Sequence, residues 1–227
     1  MKDFIIKEFS KVKINIDGDN AAKFSDYYNL LTEWNNKFNL TAITRFEDVV
    51  IKHFVDSACG LKYFEGNISL CDIGAGAGFP SLPLKILNNK INLTMIDKLN
   101  KRVTFLEEAV SRLKLDNCKC IHSRIEDAVN LRESFDRVTA RAVALLPLLC
   151  EYALPHLKIG GLFIAYKTDT EKELQGAEKA INILGGKIVD INKYTIGEGY
   201  KRSLIVIKKI KRTAKIYPRK NADKLPL

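Results

Sequence analysis

No stretch of the 227 residues approaches the roughly 20 consecutive apolar side chains that a membrane-spanning helix requires. The opening Met1-Lys2-Asp3-Phe4-Ile5 has no signal-peptide pattern. These absences predict a cytoplasmic protein with no membrane partner. The five cysteines, Cys59, Cys71, Cys118, Cys120 and Cys150, are odd in number and contain no Cys-x-x-Cys pair. That usage fits free thiols in a reducing compartment. His53, His122 and His156 lie far apart, so no metal-ligand spacing is visible and no metal is expected. Acids are missing from residues 201–220, where Lys201, Arg202, Lys208, Lys209, Lys211, Arg212, Lys215, Arg219 and Lys220 concentrate nine of the positive charges of a chain with net charge +10. Such a segment is either a solvated tail or an electrostatic footprint for nucleic acid.

The chain is organised around residues 69–80. An apolar run over 68–73 ends in Gly74, Gly76 and Gly78, and Leu82, Leu84, Ile86 and Leu87 follow at helical spacing. This reads as strand, glycine loop and helix, a place where backbone can lie directly against a ligand. A dinucleotide loop needs Gly-x-Gly-x-x-Gly, but Phe79 stands where the third glycine would be. A phosphate loop needs Gly-Lys-Ser/Thr, which is absent. Asp72 followed by Gly-x-Gly-x-Gly resembles the first motif of the class I S-adenosylmethionine (SAM) methyltransferases.

Residues 1–66 read as a helical extension packed on a sheet. Phe4, Ile5, Phe9 and Val12 mark one helix. Asp19 or Asn20 caps a second, carrying Phe24, Tyr27, Tyr28, Leu31 and Trp34. A third runs over about 46–61 with Val49, Val50, Phe54 and Ala58 inward. Strands are expected at 68–73, 91–96, 118–121, 135–140, 162–166, 187–194 and 203–207, with helices at 102–115, 144–157 and 170–184. Alternating strands and helices predict an α/β, doubly wound, mostly parallel sheet of seven strands, closed at one edge by an antiparallel hairpin. The domain would span 67–210, and 211–227 would form a basic C-terminal tail.

In such a sheet, ligands bind at the carboxyl ends of the strands. Asp97 ends the second strand, where a carboxylate suits ribose hydroxyls; capping the next helix is its plain alternative. Ile125 and Glu126 follow the third strand, placed for an adenine ring and its amino group. Three loop glycines with two acids at successive strand ends form the pattern of SAM binding. After the fourth strand stands Thr139-Ala140-Arg141-Ala142-Val143. Neither the Asn/Asp-Pro-Pro-Tyr of amine methylation nor the Pro-Cys of carbon methylation occurs. Arg141 suggests an acceptor that already carries a lone pair, such as guanine N7.

Stretches through nearly the whole chain carry a more specific resemblance. They are Asn39-Leu40-Thr41, His53-Phe54-Val55-Asp56-Ser57, the run from Asp72 to Pro80, Asn100-Lys101-Arg102-Val103-Thr104-Phe105-Leu106, Ser123-Arg124-Ile125-Glu126, Tyr166-Lys167, Tyr217-Pro218-Arg219-Lys220 and the closing Leu225-Pro226-Leu227. The chain resembles the ribosomal RNA small-subunit methyltransferase G family, also called glucose-inhibited division protein B. Ser81 and Thr168 depart from it, each replacing an expected glycine. The resemblance implies a Rossmann-like class I fold, SAM as cofactor, contacts at Gly74, Phe79, Ile125, Glu126 and Arg141, and 7-methylguanosine in a loop of bacterial 16S rRNA as product. The partner would be 16S rRNA or the small ribosomal subunit, and the protein a monomer. Arg141, Lys167 and His53 are the candidates for the reacting centre. Arg124, Lys167, Arg202, Lys209, Lys211, Arg212, Arg219 and Lys220 are candidates for RNA phosphates. Two rival readings stay open, a non-catalytic RNA-binding or assembly factor and an NAD oxidoreductase. The second is disfavoured by the glycine spacing and by the lack of a Tyr-x-x-x-Lys pair.

Overall fold

A computed structural model describes residues 1–168, 173–174, 176–222 and 227. Seven strands, β1 (Ser69–Ile73), β2 (Asn92–Asp97), β3 (Cys118–His122), β4 (Phe135–Arg141), β5 (Leu157–Lys167), β6 (Gly186–Ile196) and β7 (Tyr200–Lys209), form one sheet in the order β3-β2-β1-β4-β5-β7-β6. β1 to β5 pair in parallel, and β7 runs antiparallel to β5 and β6. The chain reverses its direction across the sheet between β1 and β4, which opens a crevice at their carboxyl ends.

Side chains alternate between the two faces with the period of a strand. Leu70, Ile164, Tyr166, Leu204 and Val206 face one buried cluster, while Cys71, Ile73, Phe163, Ala165, Ile205 and Ile207 face the other. The first face is covered by α1 (Lys2–Lys11), α2 (Gly18–Phe38), α5 (Ser81–Leu87), α6 (Asn100–Arg112) and the segment holding α3 (Phe46–Val49) and α4 (Asp56–Ala58). The second is covered by α7 (Leu146–Ala153) and α8 (Ala177–Leu184). Ile5, Phe9, Phe24, Tyr27 and Phe54 share a cluster with Leu70, Leu82 and Met95, so the first 66 residues pack directly on the sheet.

Several boundaries move for local reasons. α2 is capped by Asp17, whose carboxylate accepts from the Asn20 N–H at 2.7 Å, and not by Asp19 or Asn20. Asn39 ends α2 in the left-handed conformation, φ 42°. Between α3 and α4 the helix widens into a π-helical turn, Val50–Val55. α7 stops at Ala153 and a 3₁₀ turn over Leu154–His156 follows, because Pro155 cannot donate to a helix ladder. β5, β6 and β7 each extend beyond the apolar runs that mark them. α8 is the later part of the helix expected over 170–184, in which Glu173 and Leu174 are also helical; Thr170, Glu171, Lys172 and Gln175 of that expected helix lie outside the described residues, as do Leu225 and Pro226 of the closing motif.

Candidate active site

At the carboxyl end of the sheet lies a cavity of about 460 Å³ lined by Gly74, Asp97, Ile125, Glu126, Val143 and Tyr152, among others. That volume is within the usual range for small-molecule sites. Of the three loop glycines, Gly74 lines it, while Gly76 and Gly78 shape the loop outside the lining. Gly74 has φ +64°, and a Cβ there would come within 2.9 Å of Val143. Gly76 donates its backbone N–H to Asp97 Oδ2 at 2.9 Å, joining the loop to the end of β2. Gly78 has φ +86°, and a Cβ would strike Leu82 and the Tyr27 hydroxyl. That hydroxyl donates to the Ala77 carbonyl, so α2 grips the loop from behind.

Asp97 is buried. Besides Gly76, it accepts from the Leu99 N–H at 2.9 Å, and the Arg102 guanidinium lies at 3.5 Å. It lines the cavity but does not cap α6, whose N-cap is Leu99 with no side-chain hydrogen bond. Glu126 is buried beside it, with the Tyr152 hydroxyl donating at 3.3 Å and Arg124 Nε at 3.7 Å. The main apolar walls are Ile73, Ile96, Ile125 and Leu148. Ala142, also on the wall, holds φ +57°, uncommon for a residue with a Cβ. This turn sends the chain from β4 around the cavity mouth.

Asp72 is fully buried, and its burial pushes the carboxyl up to about 7 against the hydrogen bonds from Ser81 that lower it. The Ser81 hydroxyl donates to Asp72 Oδ2 at 2.5 Å. The departure from glycine at 81 thus supplies a partner for the acid. Asp72 Oδ1 has no partner among the described residues.

The other expected site residues separate into distinct groups. Phe79 turns away from the cavity lining and stacks between Tyr27 and His53, at ring distances of 5.3 and 4.4 Å. Arg141, at the end of β4, lies over Phe79 at 5.0 Å and donates to the Lys52 carbonyl at 3.2 Å, Asp56 Oδ2 at 3.1 Å and His53 Nδ1 at 3.0 Å. His53 Nδ1 also lies 3.2 Å from the Lys52 carbonyl, and its Nε2 lies 3.1 Å from Thr41 Oγ1. Burial, reinforced by Arg141, depresses the imidazole to about 3. His53 is neutral at physiological pH and poorly suited to take a proton. Asp56 also faces Tyr194 at 2.8 Å and Arg202 Nε at 3.6 Å.

The basic residues divide sharply. Lys167 is buried by Glu173 at 2.8 Å and the Ala144 carbonyl at 2.6 Å. Lys209 corrects the reading of it as a phosphate contact: it is fully buried, donating to the Leu157 carbonyl at 2.8 Å and Glu133 at 3.3 Å. Arg219 also has a structural partner. It grips the buried Glu151 through two side-chain bonds of 2.8 and 2.7 Å. Arg132 holds the same segment through the carbonyls of Tyr217, Thr213 and Ala214. The tail is therefore docked on the sheet's second face. Arg124, Lys211, Arg212 and Lys220 remain exposed.

A family model described as rRNA small subunit methyltransferase G matches residues 20–205. The chain belongs to the rRNA small subunit methyltransferase G family. It is 46% identical to the Clostridium botulinum protein of that name over 99% of this chain and 98% of the relative, and 44% identical to the one from Lactobacillus johnsonii over 99% of both. The fold is shared more widely. M. jannaschii TYW2, solved in complex with AdoMet, superposes with TM-score 0.53 at 20% identity over 67% of this chain and 73% of that one. The family's glycine loop and strand-end acids were legible in the sequence. Tyr152, Val143 and Leu148 were not, because they reach the cavity from α7 and the loop before it, where only an amphipathic pattern is visible.

Proposed function

We propose that this protein transfers the methyl group of SAM to N7 of a guanine in 16S rRNA. The observation that carries this reading is the convergence of Gly74, Asp97, Ile125 and Glu126 on one cavity, in a chain of this family. The residues fit the cofactor. Glu126 and Asp97 are carboxylates that suit adenine and ribose, and Gly74 leaves space that a side chain would fill. When bound, SAM supplies an electrophilic methyl on a sulfonium.

Guanine N7 has an in-plane lone pair and no proton, so the acceptor requires no general base. That agrees with a neutral, depressed His53. The chain's contribution is then to hold two reactants in line, which supplies roughly 7–11 kcal/mol of a bimolecular barrier. Arg141 is tied to Asp56 and therefore adds little uncompensated charge against a purine that becomes cationic. The acceptor is an unstacked base of 16S rRNA, naked or in the small subunit, met by a monomer in the cytoplasm. Arg124, Arg202, Lys211, Arg212 and Lys220 contribute phosphate contacts, and residues 67–210 form the catalytic unit with 1–66 as its supporting layer. Nucleoside mass spectrometry of 16S rRNA from cells with and without the protein tests the reading. Loss of 7-methylguanosine with the gene is expected; an unchanged nucleoside profile rejects it.

A further inference from the structure

The tip of the β6–β7 hairpin carries an exposed aromatic ring that the fold does not need for its core. Tyr200 is 43% exposed. Lys52 Nζ lies 4.5 Å from its ring centroid and the Arg202 guanidinium 5.9 Å. Lys201 beside it is exposed. The acids within reach are engaged: Asp48 pairs with Lys52 at 2.8 Å, and the buried Asp56 faces Arg202 at 3.6 Å. Glu198 at the turn is exposed.

The position of this ring matters as much as its chemistry. Ser203 of β7 pairs with Lys167, the last residue of β5. Tyr200 precedes Ser203 on an antiparallel strand, so it stands three residues, about 10 Å, above the carboxyl edge of the sheet. That is the edge bearing the cavity. Lys52 connects the two, since its carbonyl accepts from Arg141 at 3.2 Å and Arg141 precedes Ala142 of the cavity wall.

We infer that Tyr200, with Lys52 and Arg202, forms a stacking platform for a nucleobase of single-stranded RNA next to the base being modified. The ring supplies a π-face that any base can cover, and the cations meet the adjoining phosphates. The proposal rests on the reading of the protein as an RNA methyltransferase and assigns a residue to its acceptor side.

Three measurements test it. In methyl transfer from labelled SAM to 16S rRNA, Tyr200→Ala should raise KM for RNA roughly tenfold while Tyr200→Phe stays near wild type, as stacking of one base predicts. Calorimetric SAM affinity should be the same for all three proteins, which a merely structural role of the ring would not leave intact. Tyr200→Trp fluorescence, corrected for Trp34 with the wild-type spectrum, should be quenched by a single-stranded oligoribonucleotide. An unaltered KM in Tyr200→Ala, or unquenched emission in Tyr200→Trp, overturns the platform. Quenching of Tyr200→Trp by RNA, combined with no methyl transfer by the wild-type protein, would support the platform and reject the enzymatic reading alone.

Discussion

Asp97 shows how one carboxylate can hold a loop and line a cavity at once. Its Oδ2 accepts from Gly76 and its Oδ1 from Leu99. Asp97→Ala should weaken SAM binding about 10- to 100-fold, the scale of lost charge-assisted hydrogen bonds, as read by calorimetry. An unchanged affinity would remove Asp97 from the site. Asp72 makes a pH prediction. Its carboxyl is held up to about 7 in the folded chain, above the ordinary value near 4 that it regains on unfolding. The folded state therefore binds the extra proton, and this stabilisation is complete below about pH 4 and lost as pH rises through about 7. Asp72→Asn should flatten that decline in urea denaturation between about pH 4.5 and pH 8. Single residues were only partly legible. The spacing located Asp97 and Glu126, but nothing in the letters distinguishes Lys209, buried against the Leu157 carbonyl, from exposed Lys211.

Among the elements, the basic C-terminal segment differs most from its composition. Read as a charge run it is a solvated arm, whereas Glu151 and Arg132 fasten it across the second face. Buried Glu151 depends on the two-pronged geometry of Arg219, which lysine cannot reproduce. Arg219→Lys should release the segment and speed tryptic cleavage at Lys215 and Lys220, followed by gel and mass analysis. Cleavage as slow as in wild type would dismiss the clamp. The strands were legible because continuous apolar runs buried on both faces have few alternatives. The π-helical turn at Val50–Val55 was not; its Lys52 carbonyl accepts from Arg141, a residue far away in the sequence.

Across the whole molecule, positive charge should act through the cations that reach solvent and not through buried ones such as Lys209. Reversing Lys211, Arg212 and Lys220 together should weaken RNA binding and lower its salt slope by about 2 to 3 units, whereas Lys209→Met should alter stability and leave that slope alone. Filter binding at several salt concentrations checks both. The parallel class of the sheet and its antiparallel edge hairpin followed from the alternation of strands and helices, whereas the strand order and the reversal between β1 and β4 came only with the structure. The attachment of the first 66 residues was visible only as apolar periodicity without a linker. The bond from the Tyr27 hydroxyl to the Ala77 carbonyl has a consequence far from the crevice. Whatever steadies the glycine loop must also steady the helix that bears Tyr27, by reciprocity of coupled equilibria. Occupying the crevice should therefore slow amide hydrogen exchange along α2, making the amino-terminal helices a remote gauge of whether the cofactor has arrived.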